Sequence, residues 1–335
     1  MHPMTVRSRV GRATRWVPAV LALCAFPVAL MAQSPDPVDR AGRLLDDGKL
    51  EEAAAILEPL LAGHPRDARA MALLGRIRAA QDKLDEAIEL LEKAVELDPN
   101  SSEYHYRLGE AYADEVDHVN MFRKLSIARR IRSNLQTAIE LDPNNLDARE
   151  ALIVFYVEAP GLAGGSIAKA EEAVAALSQR DKIRGRAMLA SVREKEDDLA
   201  EAEKQYRLNT EEEPGDPRVW RDLGYFLARR EQYAGASEAF ERAVAIDPED
   251  IGSLYQVGRI GAVSGRNLDR AAEALRIYLT KKVSRRVPPH AWASFRLGNV
   301  YEKQGKTEAA RAAYASAVRM DPALKQARAA LRKLK

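Results

Sequence analysis

Apolar and polar residues follow one another along most of this chain with the spacing of amphipathic helices. Small and large apolar residues recur four positions apart, which an α-helix places on one face: Ala87 and Leu91, Ala236 and Phe240, Ala271 and Leu275, Ala310 and Tyr314. Strand-like runs of Val, Ile and Thr are absent. Ala, Leu, Glu and Arg dominate and aromatics make up only 6%, a composition that favours helix. The pattern predicts an all-α protein.

The helical stretches recur at a fixed period. "ELDPN" occurs at 96–100 and 140–144, with "AIDPED" at 245–250 and "RMDPA" at 319–323. Pro65 and Pro99, Pro214 and Pro248, and Pro288 and Pro322 are each 34 residues apart, as are Gly75 and Gly109, and Gly224 and Gly258. Glycine inside a helix costs about 1 kcal/mol relative to alanine. Its return at one register, at Gly75, Gly109, Gly224, Gly258 and Gly298, therefore predicts a close helix approach. Ala87, Ala236 and Ala310 follow their glycines by twelve residues, and Ala271 follows Gly258 one residue late. The expectation is that small residue meets small residue at the crossing, while the large residues fill the space beside it. Each proline ends a helical pair, and Asp216 before Pro217 reads as an N-cap with a first-turn proline.

These residues resemble the tetratricopeptide repeat, a helix–turn–helix of 34 residues. Trp220, Leu223, Gly224, Leu227, Ala236, Phe240, Ala243 and Pro248 match its eight signature positions in order. Leu74, Gly75, Ala87, Leu91, Ala94 and Pro99 match in one further unit, and Leu297, Gly298, Tyr301, Ala310, Tyr314, Ala317 and Pro322 in another. The resemblance implies a right-handed α-solenoid of about eight units, near 34–67, 68–101, 102–145, 146–182, 183–216, 217–250, 251–290 and 291–324. Residues 323–335 would form a C-terminal capping helix. The third unit carries roughly ten extra residues and the seventh about six, partly in "TKKVSRRVPP". The fourth has Ile153 where a small residue is expected. Ile153 and the junction "SQRDKIRG" suit either a hinge or a change of curvature.

The first 32 residues break the pattern. Arg7, Arg9, Arg12 and Arg15 precede a charge-free run, 16–32, in the order of a secretory signal cut near Ala32. A retained membrane anchor is the alternative, though Pro18 and Pro27 disfavour a spanning helix. A lipoprotein signal at Cys24 fits less well, because Leu23 is not small. Removing this segment leaves 48 Lys plus Arg against 50 Asp plus Glu, so no electrostatic case for nucleic acid remains. The only cysteine, Cys24, leaves with it. The expected chain is an exported, periplasmic repeat protein of bacterial type, held together by apolar packing alone.

No catalytic or metal-binding constellation stands out. There is no His-Glu-x-x-His, no Gly-x-Ser-x-Gly and no cysteine pair, and no two histidines share a helical ligand spacing. No enzyme activity and no cofactor are expected. The family resemblance implies a concave groove lined by the second, fifth, ninth and twelfth positions of each unit. In the last three units these include Arg218, Arg221, Tyr225, Tyr255, Arg259, Trp292, Phe295 and Asn299. Arginine and aromatics dominate binding energy at protein interfaces, and a protein or peptide partner with carboxylates would suit the arginines. The opposing reading is that these side chains pack between repeats. The family's carboxylate clamp of lysines and asparagines is not reproduced.

Two further segments are candidates. In 114–135, Arg123, Lys124, Arg129, Arg130 and Arg132 are interleaved with Met121, Phe122, Leu125, Ile127 and Ile131. They suit an extended second helix with a charged outer face, or a contact with an acidic partner or membrane surface. The segment "EAPGLAGGSIAK", 158–169, lacks the Lys-Ser/Thr pair that follows the last glycine of a P-loop. It reads as a lengthened turn in which Pro160 ends one helix and Ser166 caps the next, with anion binding at that helix start as the lesser alternative. Two functions follow: a peptide- or protein-binding scaffold of the bacterial envelope using the concave groove, or a structural adaptor in an envelope assembly using 114–135 or the convex face.

Overall fold

The computed structural model describes residues 36–116, 119–283 and 287–334, apart from the side chains of Met121 and Phe122. The N-terminal segment 1–32, its cut near Ala32, Cys24, His118 and the middle of "TKKVSRRVPP" lie outside the described residues.

Among the described residues there are seventeen α-helices and no strand. The first sixteen fall into eight consecutive pairs: α1 (Pro37–Asp46) with α2 (Leu50–Gly63), α3 (Ala68–Ala80) with α4 (Leu84–Leu97), α5 (Ser102–Glu115) with α6 (Met121–Leu141), and α7 (Leu146–Glu158) with α8 (Ile167–Ser178). The rest are α9 (Lys182–Lys195) with α10 (Leu199–Glu212), α11 (Pro217–Arg229) with α12 (Tyr233–Ile246), α13 (Ile251–Ser264) with α14 (Leu268–Thr280), and α15 (His290–Lys303) with α16 (Thr307–Met320). Helix α17 (Lys325–Lys333) follows and packs on α16 through Leu324 and Ala327. The architecture is an α-solenoid of helical repeats.

Four of the breaks after a second helix are built from hydrogen bonds that the repeated aspartate supplies. The carboxylates of Asp98, Asp142, Asp247 and Asp321 accept from the backbone N–H two residues on, at Asn100, Asn144, Glu249 and Ala323. The aspartate of each Asp-Pro step therefore folds the turn that the proline only forces open. The next helix then starts on a side-chain cap in most units. Asp67, Ser101, Asn145, Asp181, Asp216 and Asp250 accept from the first-turn N–H groups of α3, α5, α7, α9, α11 and α13.

The recurring glycines sit at close helix approaches, and at Gly75 the expected Ala87 is there, its carbonyl 3.2 Å from where a Cβ would stand, but the closest atoms belong to the large residue. A Cβ at Gly75 would lie 2.8 Å from Leu91 Cγ, and one at Gly224 would lie 2.9 Å from Phe240 Cε1. Gly258 lies in the same way under Leu275, and Gly298 under the ring of Tyr314. The glycine thus makes room for the large side chain of the second helix, which lies over it rather than beside it. Small does meet small one turn on, where Gly261 lies against Ala271. Leu91, Leu275, Phe240 and Tyr314 are all but completely buried as a result.

Unit four reaches the same packing with the volumes redistributed. Ile153 is completely buried on α7, and α8 presents Ala170 and Val174 to the core. The junction after it is tightly built: Gly185 lies against Ser178, whose hydroxyl is held by the Val174 carbonyl at 2.8 Å. Packing from α7 and α8 continues through Met188, Leu189 and Val192 of α9, so the apolar core runs across the segment that suited either a hinge or a change of curvature. The long turn before α8 has the form expected from its residues. A short 3-10 turn spans Gly161–Ala163, Gly164 has φ +103°, and Ser166 caps α8 by accepting from Lys169 N. Gly165 admits no side chain, because a Cβ there would collide with the Ala159 carbonyl. The extra residues of unit three lengthen α6 to 21 residues. Its outer arginines pair back onto the scaffold, Arg123 with the buried Glu115 at 2.5 Å and Arg130 with Glu92 at 2.9 Å.

Gly224→Ala tests the close approach. Helix propensity alone would stabilise by about 1 kcal/mol, but the methyl must displace a fully buried Phe240. The expected outcome is a net loss of ~1–3 kcal/mol, read from urea unfolding followed by circular dichroism. A net gain would show that the helices are not in contact there.

Candidate functional site

The first helices of successive pairs touch one another, α1 with α3, α3 with α5, α5 with α7, α7 with α9 and α13 with α15. They form the inner layer that carries the groove positions. Helix α11 is the exception and barely meets either α9 or α13. Where α9 and α11 part, a cavity of about 480 Å³ opens, lined by Glu158 of α7, by Ala187, Met188, Ser191, Glu194 and Lys195 of α9, by Tyr206 of α10, and by Asp222 and Arg229 of α11.

Most charges around this cavity are matched. Lys195 pairs with Glu158 at 3.1 Å. Arg229 donates through Nη2 and Nε to Glu194, at 2.7 and 3.1 Å, and the Tyr206 hydroxyl donates to the same carboxylate at 2.9 Å. Burial, with Glu194 adding, pushes the Tyr206 phenol far above its usual range. Asp222 is different. Among the described residues no hydrogen bond or ion pair reaches its carboxylate. Burial pushes its pKa up to about 6, against the opposing pull of Arg221. Glu150 on α7 is also raised by burial; Arg184 opposes this, at 3.6 Å, and Asp222 contributes to it.

The eight predicted groove residues lie on α11, α13 and α15, but much of their capacity is already used. Arg218 folds back onto Asp216, its own helix cap, at 2.7 Å. Arg221 reaches Asp250, the buried cap of α13, at 3.3 Å. Tyr225 meets Phe240 edge-on at 5.2 Å. Tyr255 and Phe295, expected on the groove surface, are instead core side chains: Tyr255 packs on Tyr278, and Phe295 between Trp292 and Tyr314. Asn299 donates to the Tyr314 hydroxyl at 2.9 Å. Arg259 bonds Gln256 at 2.6 Å and has no carboxylate partner among the described residues. Trp292 stays partly exposed, with the Arg296 guanidinium 5.8 Å from its ring centroid. Arg218 is the most exposed of the eight although paired, and Arg259 and Trp292 are half-buried but free of an ion-pair or hydrogen-bonded carboxylate among the described residues.

Sequence reasoning missed the cavity. The positional rule applied to the fifth unit would have found Ala187, Ser191 and Glu194, but not Asp222, which stands between groove positions. Among the described residues no group of three or more His, Cys, Asp or Glu is placed to hold a metal, and no helix is long and apolar enough to cross a membrane.

Replacing Asp222 should make stability depend differently on pH. Because the folded state holds this proton more tightly than the unfolded chain, the carboxyl costs almost nothing at pH 4, weakens the fold as pH rises from there, and exerts its full cost above about 6. Asp222→Asn should therefore be more stable than the native chain by ~1–3 kcal/mol at pH 8 and equal to it at pH 4. Parallel urea titrations at the two pH values check this, and an equal difference at both would mean the carboxyl is not desolvated.

Two family models match the chain. The tetratricopeptide repeat model covers residues 44–112, and the middle TPR-like domain of cilia and flagella-associated protein 70 covers 187–321. Superkiller complex protein 3 of Mus musculus is 24% identical over 266 residues, 68% of this chain and 16% of that protein. Peroxisome biogenesis protein 5 of Arabidopsis thaliana is 31% identical over 91 residues, 27% of this chain and 12% of that protein. The chain thus spans only a small part of the curated relatives it matches. Among solved structures, a thermophilic TPR protein of Thermus thermophilus aligns with a TM-score of 0.44 at 16% identity, covering 72% of this chain and 97% of that one.

Proposed function

Since the chain belongs to the tetratricopeptide repeat proteins, we propose that it is a non-catalytic scaffold whose concave groove holds an extended segment of a partner protein. Proteins of this family generally mediate protein or peptide binding. The observation that carries the reading is the set of inner-layer side chains left over after packing: Asp222 in its cavity on α11, Arg259 on α13 and Trp292 on α15. Together they give the groove an acidic middle and a basic, aromatic C-terminal end. Carboxylates of the partner suit Arg259 and Arg296, and its apolar side chains suit Trp292.

In this proposal the scaffold works in a bacterial envelope, a reading supported by the four arginines and the charge-free run of residues 7–32. Protein recovered from the periplasm of the expressing cell should begin at Gln33 by N-terminal sequencing. Recovery in membranes with the N-terminus intact would support an anchor instead.

A second reading has one specific observation in its favour. Beneath the N-terminal part of α6, a cavity of about 420 Å³ is lined by Asp85, Glu89, Glu92 and Glu115 together with Arg123 and Arg130. An adaptor could engage a partner there. The two surfaces separate by mutation. Arg259→Glu combined with Trp292→Ala should reduce capture of envelope proteins about tenfold or more with circular dichroism unchanged. Undiminished capture, lost instead when Arg123 and Arg130 are replaced, would move the site to α6.

A further inference from the structure

We propose that the cavity between α9 and α11 receives one cationic side chain, a lysine or arginine, of the peptide held in the groove, with Asp222 as its counter-charge. This rests on the groove reading and gives it a chemical preference.

Five charged side chains line the cavity, and four of them cancel: Lys195 with Glu158, and Arg229 with Glu194. The surrounding cations are likewise engaged, Arg221 with Asp250, Arg218 with Asp216 and Arg184 with Asp147. The remaining charge is one half-buried carboxylate on the cavity wall, with no hydrogen-bond or ion-pair partner among the described residues. A carboxylate in that position weakens the fold at neutral pH, and asparagine or a small apolar residue would serve packing better. An incoming ammonium or guanidinium restores the balance that folding leaves open. The shape suits a cation on an aliphatic stem. Ala187 and the adaptable Met188 offer the stem an apolar wall, and Ser191 supplies a hydroxyl beside it. A carboxylate ligand, by contrast, would enter opposite Glu158, Glu194 and Asp222 with no free cation to meet it. The groove would thereby read charge in order, a basic residue at α9–α11 and acidic ones toward α13–α15.

The groups facing Asp222 also set how pH acts on binding. They are Glu150 and Glu158 from α7, Glu194 and Lys195 from α9, Tyr206 from α10, Asp216 at the start of α11, and Arg218, Arg221 and Arg229 on α11 itself. Among them only Asp222 pairs a pKa lifted to about 6 with a place on the cavity wall. Preference for a cation should therefore fade as pH falls through that value.

A positional-scanning library of twelve-residue peptides, bound to the full chain at pH 7.5 and pH 5, tests this. At pH 7.5 one position should favour Lys or Arg over Gln by about tenfold. Asp222→Asn and Asp222→Ala, each confirmed folded by circular dichroism, should abolish that preference while weaker binding persists. Arg259→Glu should leave it in place. Carboxyl carbon NMR provides a measurement on the native chain: the Asp222 titration should move to lower pH by a unit or more when the best lysine peptide is added. Binding without a Lys or Arg preference, a preference that survives Asp222→Asn, or an unmoved titration would overturn the assignment and leave the groove reading standing. Retention of no peptide at all would overturn both.

Discussion

Two helices crossing with almost nothing between them is the condition on which this fold depends. A solenoid has no central core, so each pair must bury its own apolar faces and those of its neighbours. With 6% aromatic residues there is little bulk to spend. The chain concentrates it, setting one large side chain of the second helix onto a bare glycine of the first. Leu91, Phe240, Leu275 and Tyr314 are buried by that single device. The turns between pairs serve the same end where an Asp-Pro step and a polar cap bring the new helix in at a repeatable angle.

Charge is handled just as locally. Most arginines on the inner layer are neutralised within a unit or across one junction, as Arg229 is by Glu194 and Arg221 by Asp250. Against that background an uncompensated carboxylate is conspicuous. Asp222 stands where α9 and α11 draw apart, on the wall of the cavity between them, and the nearby Arg221, Arg218 and Arg229 are each paired with another carboxylate.

The fold was legible because its determinants repeat. Gly75, Gly224 and Gly298 announce close contacts by returning in one register, and Pro160, Gly165 and Ser166 describe their turn without help from the rest of the chain. What covers each glycine was not legible. Spacing says that Ala87 and Leu91 share a face, but not which of them lies over Gly75. The groove was readable as residue types, but which of them pack between repeats was not, for Arg221 meets a carboxylate of this same chain and Tyr255 and Phe295 turn into the core. Asp222 was invisible for the opposite reason. Its environment depends on a gap beside α11 that most junctions of the chain lack, and no periodicity encodes it.

The glycine contacts have a consequence for how such a chain changes over generations. For the five recurring glycines, the glycine and the side chain that covers it lie within one unit: 75 with 91, 109 with 135, 224 with 240, 258 with 275 and 298 with 314; Gly185 against Ser178 is a close contact that crosses a junction. Duplicating or excising one of these units carries both halves of its glycine contact together, and the junctions on either side must be remade. The junction at α9 and α11 does not share this freedom. Its cavity draws on α7, α9, α10 and α11, so inserting a unit there would divide the site while leaving each helix pair intact.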